Sequence, residues 1–74
     1  MNLRYEIKSY IMREGATLSD VTEQLARRYG WKNSVSSLSS KLSRETLRYK
    51  DAKELADVLG YDIVWIKRKK EYHI

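Results

Sequence analysis

The sequence predicts a small, mainly α-helical domain: four helices in a helix-turn-helix arrangement, closed by one C-terminal β-strand. Three observations carry this. Apolar residues recur at spacings of three and four in four successive segments, the pattern of helices buried on one side. Proline is absent, and the three glycines, at 15, 30 and 60, each follow one of those segments, where a helix can end in a left-handed residue. After Gly60 the stretch "YDIVWIKRK" turns to β-branched and aromatic residues with a period nearer two.

The first segment, Asn2 to Glu14, gathers Leu3, Ile7, Tyr10 and Ile11 on one face, with Asn2 as its N-cap. The second opens at Thr17, which with Asp20 three residues later resembles a shortened capping box, and turns Leu18, Val21, Leu25 and Tyr29 inward before Gly30. Gly30, Trp31, Lys32 and Asn33 form a short connection. The third helix runs from about Ser34 to Arg44, capped by Asn33 or Ser34, with Val35, Leu38 and Leu42 as its inner stripe. That stripe sits inside "NSVSSLSSKLSRETLRYK", whose serines would otherwise read as a flexible linker. The fourth helix spans about Tyr49 to Leu59, with Ala52, Leu55, Ala56 and Leu59 inside. Residues 1–60 thus form the helical part, and residues 61–74 a strand and basic tail of the same domain.

A lone strand has no ladder partner and invites pairing with another chain. The economical resolution is a two-fold homodimer in which Tyr61, Ile63, Val64, Trp65 and Ile66 form the interface. The simpler alternative is an extended tail packed on the chain's own helices. Lys67, Arg68, Lys69 and Lys70 then read as edge protection, with phosphate contact as the alternative.

Composition narrows the function classes. Seventy-four residues are near the lower limit for a self-sufficient core, so a partner chain suits the length. There is no Cys, which removes disulfides and thiolate metal ligation and suits a reducing compartment. The longest apolar run, "IVWI" at 63–66, is too short for a signal sequence or a membrane span, so the expectation is a soluble, cytoplasmic protein. His73 has no companion ligands, and no Gly-rich phosphate loop, nucleophile elbow or carboxylate pair is present. The chain is therefore expected to be no enzyme and to need no cofactor or metal.

The charge is uneven. Of the net +5, residues 31–50 supply +4, with Lys32, Lys41, Arg44, Arg48 and Lys50 against Glu45 alone. A local cationic excess on one element is an electrostatic footprint for a polyanion. At 100° per residue, Asn33, Ser37, Ser40 and Arg44 point away from the apolar stripe of the third helix, with Ser36 and Lys41 on the flanks. This face has short donors and acceptors, two cations and no acid, which is what entry into a major groove requires. Serine is less favourable than alanine in a helix by up to roughly half a kcal/mol, so stability alone does not select such a run. The candidate base-reading residues are Asn33, Ser36, Ser37, Ser40, Lys41 and Arg44; because a hydroxyl pairs with either a donor or an acceptor, specificity rests on Asn33, Lys41 and Arg44.

The stretches "TLSDVTEQLARRYGW", "NSVSSLSSKLSRETL" and "DAKELADVLGY", residues 17–61, resemble the Xre/Cro-type, lambda-repressor-like helix-turn-helix family. Leu18, Leu25 and Ala26, the Gly-containing turn, the Ser-rich third helix and the closing "ELADVLGY" carry the likeness. It departs in having Ser43, Arg44 and Glu45 where a glycine often follows the recognition helix, and a strand in place of a fifth helix. The resemblance implies a transcriptional regulator that binds double-stranded DNA with the third helix in the major groove. It also implies that Thr17, Ser19 and Arg48 lie near the phosphate backbone; Lys32 and Lys50 are assigned the same role. The alternative, of another class, is a protein-binding module such as an antitoxin or anti-CRISPR-type inhibitor from a mobile element, reusing the scaffold.

Overall fold

The side chain of Asn2 accepts hydrogen bonds from the backbone N–H of Arg4 (2.9 Å) and Tyr5 (3.4 Å), satisfying two donors at the start of the first helix. That helix, α1, spans Leu3–Arg13. In α2, Leu18–Tyr29, the Thr17 hydroxyl accepts from Asp20 N–H (3.1 Å) and the Asp20 carboxylate accepts from Thr17 N–H (3.0 Å), a reciprocal cap. Helix α3, Val35–Arg44, is capped by Ser34, whose hydroxyl accepts from Ser37 N–H (3.2 Å). Helix α4, Tyr49–Leu59, begins where Asp51 accepts from Arg48 N–H (3.2 Å). The computed structural model describes residues 2–68.

One small core holds these four helices. Ile11, Val21, Leu25, Leu38, Leu42 and Leu55 are buried and in mutual contact, with Ile7, Ala16, Leu18, Trp31, Leu47, Val58 and Leu59 packed around them. Helix α2 packs on both α3 and α4, and α1 packs on α3. The one buried polar side chain among the described residues is Thr22, whose hydroxyl donates to the Ser19 carbonyl (3.0 Å) within its own helix. With its donor satisfied locally, threonine is buried at little desolvation cost.

Two expected core positions lie elsewhere. Val35, at the first position of α3, is 40% exposed and lines a surface depression with Ser36, Ser39 and Ser43, while Leu38 and Leu42 alone carry the inner face of α3. Tyr29 is 41% exposed because its hydroxyl reaches across to Asp57 on α4 (2.6 Å), a bond that keeps the ring at the surface. Arg28 joins the same carboxylate at 3.2 Å.

Left-handed residues end the helices. Gly30 (φ 75°) and Gly60 (φ 85°) do so without a Cβ penalty. At the end of α3 that role falls to Glu45 (φ 55°), and Thr46 N–H closes the turn on the Lys41 carbonyl (3.1 Å). This is the position at which the sequence lacks glycine. The Glu45 carboxylate accepts from Leu3 N–H (3.2 Å) at the start of α1, where negative charge is favoured by the helix dipole. Backbone strain on one helix is thus tied to a cap on another. Glu45→Ala keeps the strain and loses the cap, so it is expected to lower stability by about 1 kcal/mol. Glu45→Gly loses both, and relief of the left-handed strain, about 1 kcal/mol, offsets the missing cap. Thermal unfolding followed by circular dichroism should rank Glu45→Gly above Glu45→Ala; the reverse order contradicts this account.

The C-terminal segment corrects an expectation. Residues 61–68 form neither helix nor strand, and among the described residues no strand occurs. A strand is defined by a ladder, and among the described residues no second extended segment lies beside this one to provide it. Tyr61 nevertheless anchors the segment: its hydroxyl donates to Glu14 (2.7 Å) and its ring lies 5.0 Å from that of Tyr10. Beyond Tyr61, exposure rises from 39% at Ile63 to 67%, 84% and 83% at Val64, Trp65 and Ile66. Trp65 is therefore not core; its indole N–H donates to the Tyr49 hydroxyl (2.9 Å), with the two rings edge to face. Lys69, Lys70 and His73 lie outside the described residues.

Candidate nucleic-acid interface

Ser36, Ser40 and Arg44 follow one another at spacings of four and form a line along the outer face of α3. All three are exposed. On one side of that line a shallow depression is lined by Lys32, Lys41 and Arg44 together with Ser34, Ser36, Ser37, Ser40 and Thr46. It contains three cations, five hydroxyls and no acid. On the other side Val35, Ser39 and Ser43 line a second depression with the same three ridge residues. The outermost line is therefore 36-40-44 rather than the expected 33-37-40-44, with Ser37 and Lys41 half-buried on the flank that faces Trp31.

The cations on this surface are held differently. Lys32 and Arg44 are exposed and make no ion pair among the described residues. The Lys41 ammonium lies 4.6 Å from the centre of the Trp31 ring. Lys50, a predicted phosphate contact, instead lies 3.5 Å from Glu54 Oε2, one turn along α4, and is not part of the depression. Arg48 is exposed at the start of α4. Asn33 is exposed in the connection and does not line the depression.

Of the remaining predicted contacts, Thr17 and Ser19 sit at the N-terminal end of α2, both exposed. The backbone N–H groups of a helix's first turn and its dipole attract anions there. The Thr17 hydroxyl already accepts from Asp20 N–H, so what it has left for a phosphate is its own proton. Ser43, by contrast, accepts from the Arg4 guanidinium of α1 (3.3 Å).

Two contributors escaped the sequence reading. Thr46 lines the depression just past the left-handed Glu45, a turn that no glycine announces. Glu54 accepts the Trp31 indole N–H at 2.7 Å, a contact across 23 residues that periodicity does not reveal; only the Lys50–Glu54 spacing of four was visible beforehand.

The shifted titrations lie on other faces. Asp57 is held below the usual carboxylate range by the hydrogen bond from Tyr29, assisted by Arg28, and Tyr29 is correspondingly raised by Asp57. The hydrogen bond to Glu14 raises Tyr61. Among the described residues no group of three or more His, Cys, Asp or Glu is assembled that could hold a metal ion, and no helix is long and apolar enough to cross a membrane. Comparisons with protein-family models, with curated proteins and with solved structures return no match.

Proposed function

We propose that this chain binds double-stranded DNA as a small helix-turn-helix transcriptional regulator, with α3 in the major groove. The observation that carries the reading is the acid-free face of α3, where Lys32, Lys41 and Arg44 converge with four serines and Thr46. A helix with its side chains is about 10–12 Å across and the major groove about 12 Å wide, so short side chains on the entering face matter. Serines at 36 and 40 let the backbone approach, and Arg44 and Lys41 supply the charged donors for guanine edges. Lys32, Arg48 and the N-terminal end of α2 flank that face and suit phosphate contact, which fixes register. Lys50 contributes less to this reading, because Glu54 already neutralises it.

The same reading includes a homodimer through residues 61–66. Its support is the exposure of Val64, Trp65 and Ile66 next to a segment already tethered by Tyr61. An exposed, contiguous apolar run of this kind suits a protein contact. The exposed run also suits the protein-binding alternative, which predicts no salt-sensitive DNA retention.

Selection of bound duplexes from a random pool tests these claims together. Enriched sequences are expected to be palindromic, with half-sites about 10 base pairs apart, or a multiple of that, as a two-fold pair of recognition helices requires. A single unrepeated site contradicts the dimer while leaving DNA binding intact. No enrichment contradicts the DNA reading.

A further inference from the structure

Trp31 sits in the α2–α3 connection, half-buried against the core, in the position of a plug between helices. A plug needs only volume. Here both polar features of the indole are also engaged. Its ring face lies under the Lys41 ammonium at 4.6 Å, inside the roughly 6 Å range of cation–π attraction. Its N–H donates to Glu54 Oε1 at 2.7 Å, and the other oxygen of that carboxylate faces Lys50 at 3.5 Å. The Glu54 side chain is only 14% exposed.

We propose that Trp31 is a positioning residue that holds Lys41 ready on the DNA-contact face, an inference that rests on the DNA-binding reading of α3. The chemistry runs in one direction along the chain of contacts. An indole that donates its N–H to a carboxylate gains electron density, and its face then attracts a cation more strongly. Lysine carries a flexible four-carbon stem, and a stem ordered before binding loses less freedom on binding. The arrangement also keeps the Glu54 carboxylate from meeting phosphate, because Trp31 and Lys50 occupy its two oxygens.

The test is a double-mutant cycle in the full chain with a selected duplex, using Trp31→Leu, Trp31→Phe and Lys41→Met. Trp31→Leu is expected to weaken binding about tenfold and Trp31→Phe, which keeps a ring face, less than about threefold. In the Lys41→Met background Trp31→Leu is expected to have no further effect. Losses that add in full, or a Trp31→Phe variant as weak as Trp31→Leu, overturn the proposal. A DNA-free readout accompanies it: the Lys41 ε-methylene protons should resonate upfield in the unsubstituted protein and return to their ordinary position in Trp31→Leu. Unshifted protons in the unsubstituted protein overturn the placement. Should Trp31→Leu fail to fold, Glu54→Gln replaces it in the cycle, with about a threefold loss expected only where Lys41 is present. An unsubstituted protein with shifted Lys41 protons that retains no duplex refutes the DNA reading, and with it the role of Trp31 in DNA contact, while the Trp31–Lys41 contact stands.

Discussion

Replacing Lys41 and Arg44 together by alanine is expected to reduce affinity for a selected duplex at least about thirtyfold, with helix content and melting temperature little changed. Each well-placed charged donor to a base is worth about 1–3 kcal/mol, and two such losses multiply. The fold should survive because neither side chain belongs to the core: Arg44 is exposed, and Lys41 touches the Trp31 ring from the outside. Discrimination should fall as well, since the residual phosphate contacts carry no sequence information. The variant is measured by titration against the selected duplex and a scrambled one, beside a melting curve. Unchanged affinity removes α3 as the reading element. A collapsed melting curve with lost binding points instead to a structural role for the pair.

The largest effect on stability is expected at Leu25, at the centre of the core and 0% exposed. Leu→Ala at a fully buried site costs about 2–5 kcal/mol, because the lost transfer energy adds to the cavity left behind. A domain of this length has roughly 4–11 kcal/mol in total, at about 0.05–0.15 kcal/mol per residue. Leu25 lies on α2, the helix that packs on both α3 and α4, so the cavity opens at the centre of that packing. Leu25→Ala should therefore lose most of its cooperative unfolding transition at 37 °C, measured by urea titration with far-ultraviolet circular dichroism. A midpoint within a few tenths of a molar of the unsubstituted protein contradicts the single-core account.

What could be read in advance was local. Helix starts at Asn2, Thr17 and Ser34, and stops at Gly30 and Gly60, follow from side chains that cap their own backbone and from glycine's access to positive φ. The stripe Leu38–Leu42 settled the serine run as a helix, since two buried leucines at that spacing leave no room for a linker. Depth was less legible. Periodicity gives the direction in which Val35 and Tyr29 point, but not that α3 starts at the surface or that Tyr29 is drawn out to Asp57. Contacts between segments distant in sequence escaped altogether. Glu45 serves α1 across 42 residues and Glu54 serves Trp31 across 23, and neither leaves a trace in composition or spacing. The predicted strand rested on residue type, which expresses a preference for a ladder; a ladder needs a neighbour, and among the described residues there is none.

The central claim is that the face of α3 meets a polyanion, and the salt dependence of binding tests it most directly. With the selected duplex, the logarithm of the association constant is plotted against the logarithm of salt concentration. The two phosphate-contacting cations, Lys32 and Arg48, predict a slope of roughly −2 per protomer, and one near zero once both are replaced by alanine. A slope near zero in the unsubstituted protein, or one that the two substitutions leave untouched, contradicts the assignment of this face to DNA.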